Sequence, residues 1–239
     1  MRPRSGLLAV VKSQVFVDVW VVIAAYNEAR AVGVVLAGLA GLPYRVLVVD
    51  DGSTDGTADV AGSAGVEVLR HPINLGQGAA LQTGIDYALL RGASHVVTFD
   101  ADGQHRPEDI AGLLAALAAN DADFALGSRF RGEAIDLPAP RRLMLRAATW
   151  FSRLTTGLAI TDAHNGLRAM TCRGAGRLRL RQNRMAHASE ILHQIAASGL
   201  RYVEAPVTIQ YSRYSLAKGQ RPSEFVVILL DLFAQRLHP

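Results

Sequence analysis

Cys172 is the single cysteine in the 239-residue chain. That count excludes an internal disulfide framework and any zinc site built on cysteines, and it makes a reducing compartment the simpler expectation. Histidine does not fill the gap: the seven histidines show neither His-x-x-x-His nor His-Glu-x-x-His spacing, the patterns that put ligands on one helix face. Long apolar runs are missing as well. Residues 225–230 form the longest one near the C-terminus, far short of the roughly 20 residues that cross a bilayer. Near the N-terminus, Lys12 and Asp18 interrupt the apolar stretch after Arg2 and Arg4, and no signal-peptide cleavage pattern follows. No transmembrane helix and no export are expected, which points to the cytoplasm. Aromatic residues are scarce, and the most basic stretch lacks the interleaved rings on which bases stack, so nucleic acid is not expected as a partner.

What is present fits a buried sheet. Half of the residues are hydrophobic and 19% are charged, a balance that suits strands covered on both faces, and the length suits a single α/β domain. Short β-branched runs at residues 20–24, 45–49, 66–69, 95–99 and 123–127 alternate with longer amphipathic stretches. This alternation predicts a doubly wound, Rossmann-like, mostly parallel sheet with right-handed crossovers and helices on both faces. Ligands of such sheets gather at the carboxyl ends of the strands. Polar residues follow those ends at 26–28, 50–54, 100–104 and 128–129, so four loops are expected to converge on one crevice. Beyond residue 130 the pattern reads as a loop over 132–140, a basic helix over 141–156, an acidic loop near Asp162, a helix over 187–197 and a short strand over 201–204.

Charge is unevenly spread. The net charge of +4 conceals an acidic first half and a stretch, residues 129–184, with twelve arginines against three acids. Such a stretch calls for an anionic partner, and phosphate esters or anionic lipid suit it. In the expected helix, Arg142, Arg146 and Arg153 share one side, while Leu143, Ala147, Trp150 and Leu154 line an adjacent one. That is the pattern of a basic amphipathic helix at a lipid surface, or of a helix packed on the domain core with its arginines in solvent.

Three constellations carry chemistry. Asp50 and Asp51 end a valine-rich run and precede Gly52-Ser53-Thr54-Asp55-Gly56-Thr57. Ser53 or Asp55 suits a helix-capping turn, whereas Asp51, at a strand end, suits hydrogen bonds from a base or ribose. Asp100-Ala101-Asp102-Gly103-Gln104 puts two carboxylates one residue apart at the end of another strand, an arrangement suited to Mg²⁺ or Mn²⁺ shared with diphosphate oxygens. His187 and Glu190 lie one helical turn apart, which suits either a plain polar face or an acceptor site. The glycine-rich run 74–78 opens a helix but lacks the Lys-Ser/Thr of a P-loop.

Tyr26-Asn27-Glu28, Val48-Val49-Asp50-Asp51-Gly52-Ser53-Thr54-Asp55-Gly56-Thr57, Asn74-Leu75-Gly76-Gln77-Gly78 and Asp100-Ala101-Asp102-Gly103-Gln104, in this order, resemble the family 2 glycosyltransferases. The subgroup they resemble is that of the polyprenyl-phosphate (dolichyl-phosphate) sugar transferases, with a further match at Tyr214-Ser215-Leu216-Ala217-Lys218-Gly219-Gln220. The resemblance implies a GT-A fold over residues 19–220, split into a nucleotide-sugar half (19–128) and an acceptor half (129–220). An N-terminal extension (1–18) and a C-terminal amphipathic helix (221–239) flank it. The resemblance further implies that Ala24, Tyr26, Glu28, Asp51, Asp100 and Ala101 surround the nucleotide-sugar, and that Asp102 binds Mg²⁺ or Mn²⁺ with help from Asp100 and Gln104. Arg129 and Lys218 match positions that hold the donor diphosphate, so Asp102, Arg129 and Lys218 form the implied catalytic set. Asp162, Arg168, His187 and Glu190 are candidates for the acceptor side.

Three departures from the family pattern are visible. Ala24 replaces a proline before the Tyr-Asn-Glu triplet, Asn165 replaces a Ser or Thr before Gly166, and the C-terminal membrane helices of many relatives are missing. Membrane contact is then expected through the surface or through a separate membrane-protein partner, with the enzyme held peripherally at the inner face of the membrane. The reaction implied is transfer of a hexose from a UDP- or GDP-sugar to a polyprenyl phosphate with inversion, which needs no strong general base because the acceptor is already anionic. Transfer to a sugar hydroxyl in polysaccharide or cell-envelope glycan synthesis remains open, with Asp162, His187 or Glu190 as base. So does a catalytically dead subunit that only presents nucleotide-sugar, although the set of acids and cations argues against it.

Overall fold

The computed structural model describes residues 18–182 and 186–211. In chain order these form β1 (Val19–Ala25), α1 (Ala29–Leu39), β2 (Arg45–Asp50), α2 (Thr57–Ser63), β3 (Glu67–Arg70), α3 (Gln77–Leu90), β4 (His95–Asp100) and α4 (Asp109–Asn120). There follow β5 (Phe124–Ile135), α5 (Ala139–Thr156), β6 (Arg168–Thr171), α6 (Cys172–Ala175), α7 (His187–Ser198) and β7 (Tyr202–Gln210). The strands make one seven-stranded sheet in the order β3-β2-β1-β4-β6-β5-β7, in which only β6 runs antiparallel to its neighbours.

Successive residues of a strand point to opposite faces, so a strand covered on both sides must be apolar throughout. β1 meets that demand. Val19, Val21 and Ile23 pack into one core with Val32 and Leu36 of α1 and Ile110 and Leu113 of α4. Trp20 and Val22 pack into a second core with Leu81 and Ile85 of α3 and Ile191 and Ile195 of α7. Helices therefore cover both faces. α3 closes tightly on the sheet at Gly84, where an added Cβ would strike Val22 and lie 3.1 Å from Val49.

α5 starts two residues before the expected helix, with Pro140 in its first turn, where the missing N–H costs nothing. It ends at Gly157, which adopts φ 72°. Two expectations are corrected, and one strand was not expected. Residues 132–135, read as loop, belong to β5, which breaks register between Ser128 and Glu133 and then resumes pairing with β7, Glu133 opposite Thr208. β7 extends to Gln210, past Pro206, because an edge strand tolerates a residue without an N–H. β6, only four residues long, is too short to show a period-two pattern.

Residues 1–17 of the expected N-terminal extension, the 214–220 segment with Lys218, and the expected helix over 221–239 lie outside the described residues. No helix among the described residues is long and apolar enough to cross a membrane.

Candidate active site

Strand register gathers the acids. Ala25 pairs with Asp50 and Ala24 with Asp100, so β1, β2 and β4 deliver their carboxyl ends to one edge of the sheet. β6 runs the other way and begins there, with Arg168 paired to Thr98 and Leu126. A cleft of about 510 Å³ opens at this edge. Of the expected residues, Ala24, Tyr26, Glu28, Asp51, Asp100, Ala101, Asp102, Gln104, Arg129, Arg168 and His187 line it. Asp162 and Glu190 do not, and Lys218 lies outside the described residues.

The loops that frame the cleft hold one another. Asn27 N–H donates to Ser53 Oγ at 2.9 Å, Thr54 N–H to Asn27 Oδ1 at 3.0 Å and Glu28 N–H to Thr57 Oγ1 at 2.8 Å. Asp55 accepts from the N–H groups of Ala29 and Thr57, the first residues of α1 and α2, so one carboxylate serves two helix starts. Asp51 organises the next loop. Its Oδ1 accepts from His71 Nδ1 at 2.7 Å and Leu75 N–H at 3.0 Å, and its Oδ2 from Gly76 N–H at 2.7 Å. Of about four acceptor positions on a carboxylate, one on Oδ2 is left over in a residue that lines the cleft.

Asp100 and Asp102 sit in unlike surroundings. Asp100 accepts from His105 Nε2 at 2.9 Å and Gln77 Nε2 at 3.3 Å. Burial alone pushes its carboxyl up, but the His105 hydrogen bond and charge, with Arg168 and His187 nearby, hold it below the usual range. Asp102 accepts only from the Gln104 N–H, at 3.1 Å, among the described residues. Burial, and next the charge of Asp100, push it up to about 6.

Two arginines also line the cleft and differ as sharply. Arg129 donates through Nε to Asp162 Oδ2 at 2.6 Å, through Nη1 to the Tyr211 hydroxyl and through Nη2 to the His164 carbonyl. Burial works against its charge, yet Asp162 and Tyr211 more than offset this and raise its pKa. Three of the five guanidinium N–H groups are thus engaged. Asp162 is the residue that fixes this arginine; it is 3% exposed. Arg168 makes no hydrogen bond or ion pair among the described residues. Burial pushes it down to about 10, and the charges of Asp100 and Asp162 restore only part of the shift. It stays protonated at neutral pH.

The expected acceptor residues separate. His187 reaches the cleft, whereas Glu190 accepts from the N–H groups of Arg181 and Gln182 at 2.9–3.0 Å and ties that loop to α7. Sequence reasoning missed several cleft residues. His105 and Gln77 hold Asp100, and Arg141 stands 5.3 Å from the Tyr211 ring with its Nε buried and without a partner among the described residues. His164, pushed down to about 4 first by burial, is neutral at ordinary pH. The position of His105 directly after Gln104, and of Arg141 at the head of the basic helix, were the available signals.

The Glycosyl transferase family 2 profile matches residues 20–180. The chain is 30% identical over 223 residues to the UDP-N-acetylglucosamine–dolichyl-phosphate N-acetylglucosaminyltransferase of Methanococcus voltae, covering 84% of this chain and 89% of that one. It is 33% identical over 199 residues to the undecaprenyl-phosphate mannosyltransferase of Micrococcus luteus, covering 78% and 81%. Among solved structures, glucosyl-3-phosphoglycerate synthase from Mycobacterium tuberculosis, in complex with Mn²⁺ and UDP-glucose, superposes with a TM-score of 0.67 at 19% identity, over 92% of this chain and 78% of that one. The last likeness is one of fold, and that fold is GT-A. With these matches spanning the acidic edge and Arg168 alike, the chain belongs to glycosyl transferase family 2 and is a glycosyltransferase.

Proposed function

We propose that the chain is an inverting transferase that moves a hexose from a UDP- or GDP-sugar to a polyprenyl phosphate, assisted by Mg²⁺ or Mn²⁺. The observation that carries this reading is the juxtaposition, in one cleft, of the Asp100–Asp102 edge and the buried Arg168, a cation without a hydrogen-bond or ion-pair partner among the described residues. Hard oxygen donors and a guanidinium whose burial Asp100 and Asp162 only partly offset suit phosphate-bearing substrates and a divalent ion in the same cleft. The acceptors named for the Methanococcus and Micrococcus relatives, dolichyl and undecaprenyl phosphate, agree with it.

The residues fit such an ion. Asp100, Asp102 and Gln104 offer oxygen ligands, and the Asp102 carboxyl, raised first by burial and next by the charge of Asp100, lies beside a second carboxylate at the same strand end. No group of three acidic, histidine or cysteine side chains capable of holding a metal occurs among the described residues, a shortfall that diphosphate oxygens would fill. When bound, the ion supplies charge neutralisation for a departing diphosphate.

The chain's own groups do the rest. Tyr26, 44% exposed at the cleft, offers a ring face to the base, and the remaining Asp51 acceptor position suits a base or ribose donor. Arg168 and the two unengaged N–H groups of Arg129 hold phosphate oxygens. An acceptor phosphate oxygen attacks the anomeric carbon from the face opposite the diphosphate. The bond to the leaving oxygen breaks with its electron pair on the diphosphate, and the configuration inverts. No proton has to move. Of the three candidate bases for transfer to a sugar hydroxyl, Asp162 is committed to Arg129 and Glu190 lies outside the cleft, which leaves His187 as the one that lines it.

A lipid-borne acceptor places the enzyme peripherally at the inner face of the membrane. Incubation with radiolabelled donor and polyprenyl phosphate in detergent tests the reaction: label should pass into organic solvent. Label confined to water-soluble product sinks the assignment.

A further inference from the structure

α5 divides its surface three ways. Leu145, Ala148, Thr149 and Ser152 are buried against the domain. At about 100° per residue, Arg142, Arg146 and Arg153 fall within about 40° of one another beside that buried face. Leu143, Ala147, Trp150 and Leu154 form a second stripe about 60° wide, and it faces solvent: Leu143 is 72% exposed, Trp150 63% and Leu154 62%. Of the nine large apolar side chains exposed among the described residues, three lie on this one stripe, so it is a patch rather than scatter.

The arginine row opens on a second cavity, of about 560 Å³, between α5 and the irregular stretch of β5. Phe130, Thr149 and Trp150 share its lining, and Glu133 is the one acid there. None of the three arginines makes a hydrogen bond or ion pair among the described residues, and Arg146 stands 5.8 Å over the Phe130 ring. Unpaired guanidinium groups beside an exposed hydrocarbon stripe complement a surface that presents phosphate above and acyl chain below.

We propose that the outer face of α5 is the seat on which this enzyme rests at an anionic bilayer. Leu143, Ala147, Trp150 and Leu154 enter the boundary between headgroups and acyl chains, and Arg142, Arg146 and Arg153 take lipid phosphates. The purpose of the seat rests on the proposed lipid-borne acceptor. Its position agrees, because Arg129 lines both this cavity and the catalytic cleft.

Phosphatidylcholine vesicles with and without phosphatidylglycerol, free of polyprenyl phosphate, test the seat. The chain should sediment with the anionic vesicles and less so at high salt. Trp150 emission should shift to the blue on binding, while Trp20, fully buried, contributes a constant background. The variant R142Q/R146Q/R153Q should bind roughly a hundredfold more weakly, and L143S/W150S/L154S should also lose binding. Thermal melts and nucleoside diphosphate binding check that both variants fold. Should a variant misfold, the Trp150 shift in the unaltered chain still decides. An absent shift, equal sedimentation of folded variants and parent, or an L143S/W150S/L154S variant that turns a dimer into a monomer with vesicle binding intact would overturn the seat. Extractable radiolabelled product would then leave the proposed reaction standing.

Discussion

Gly166 lies so close to Asp100 that a Cβ added at 166 would fall on the Asp100 carboxylate. The Thr98 hydroxyl donates to the Gly166 carbonyl at 2.6 Å, so the loop before β6 is pinned to β4 beside the acidic pair. Gly166→Ala must move either the loop or the carboxylate. Displacement of a positioned group by about 1 Å costs on the order of a hundredfold in rate. The expected outcome is that loss in kcat together with weaker Mn²⁺ binding, read by steady-state kinetics and metal titration. Unchanged metal affinity would show that the carboxylate had not moved.

Asp102→Asn should abolish turnover and leave the melting temperature near that of the parent, because an amide is a poor ligand for a hard cation. The same carboxyl sets a pH dependence. Its pKa is raised to about 6, so below that value the folded protein holds it protonated, and a bound divalent ion must displace the proton. Mn²⁺ affinity should be level above pH 7 and fall about tenfold per unit below pH 6. Without metal the sign reverses for stability: the folded state holds this proton more tightly than the unfolded chain, so the group favours folding as pH drops from 7 toward 4. Calorimetric titration across that range checks the first point, and near-normal activity in EDTA would falsify the metal assignment.

Arg168→Met separates stability from function. The guanidinium is charged against the preference of its surroundings, as its lowered pKa shows, so an apolar replacement of similar length relieves a desolvation cost. A rise in melting temperature of about 2–4 °C is expected, with a fall in kcat/KM of roughly two to three decades. A variant less stable than the parent would place Arg168 in the framework instead.

Asp51→Ala removes the acceptor of three hydrogen bonds that shape residues 71–76. The donor KM should rise about tenfold with a smaller change in kcat, since a base or ribose contact is made in ground and transition states alike. The melting temperature should drop as well, because the Gly76 and Leu75 N–H groups lose their partner. Isothermal titration with UDP and GDP beside a thermal melt distinguishes the two contributions.

The parallel half of the sheet was legible because a strand buried on both faces has to be apolar residue after residue, as β1 and β2 are. β6 and the outer part of β5 were not. A four-residue strand carries too few positions for a pattern, and pairing after the break in β5 is decided by β7 rather than by local composition. In the site, the two acids of the 100–104 loop announce themselves by spacing. The contacts His105–Asp100 and His71–Asp51 do not, since two isolated histidines acquire meaning only when the chain folds. Glu190 shows the converse: a carboxylate one turn from a cleft histidine in sequence is spent on a loop outside the cleft.

The reversal of β6 has a consequence for how this enzyme can be rebuilt. The ends of β1, β2 and β4 reach the cleft from segments near residues 24–28, 50–54 and 100–104, whereas residues 157–168 reach it by leading into a strand that runs the other way. If the 157–165 loop contributes to the acceptor side, nucleotide and acceptor would be held by stretches of chain that share no strand. A graft of the 157–165 loop from a relative with another acceptor, stopping short of Gly166 and keeping Asp162 for Arg129, leaves the donor loops in place. Such a graft should then change acceptor choice while the affinity for the nucleotide-sugar stays that of the parent.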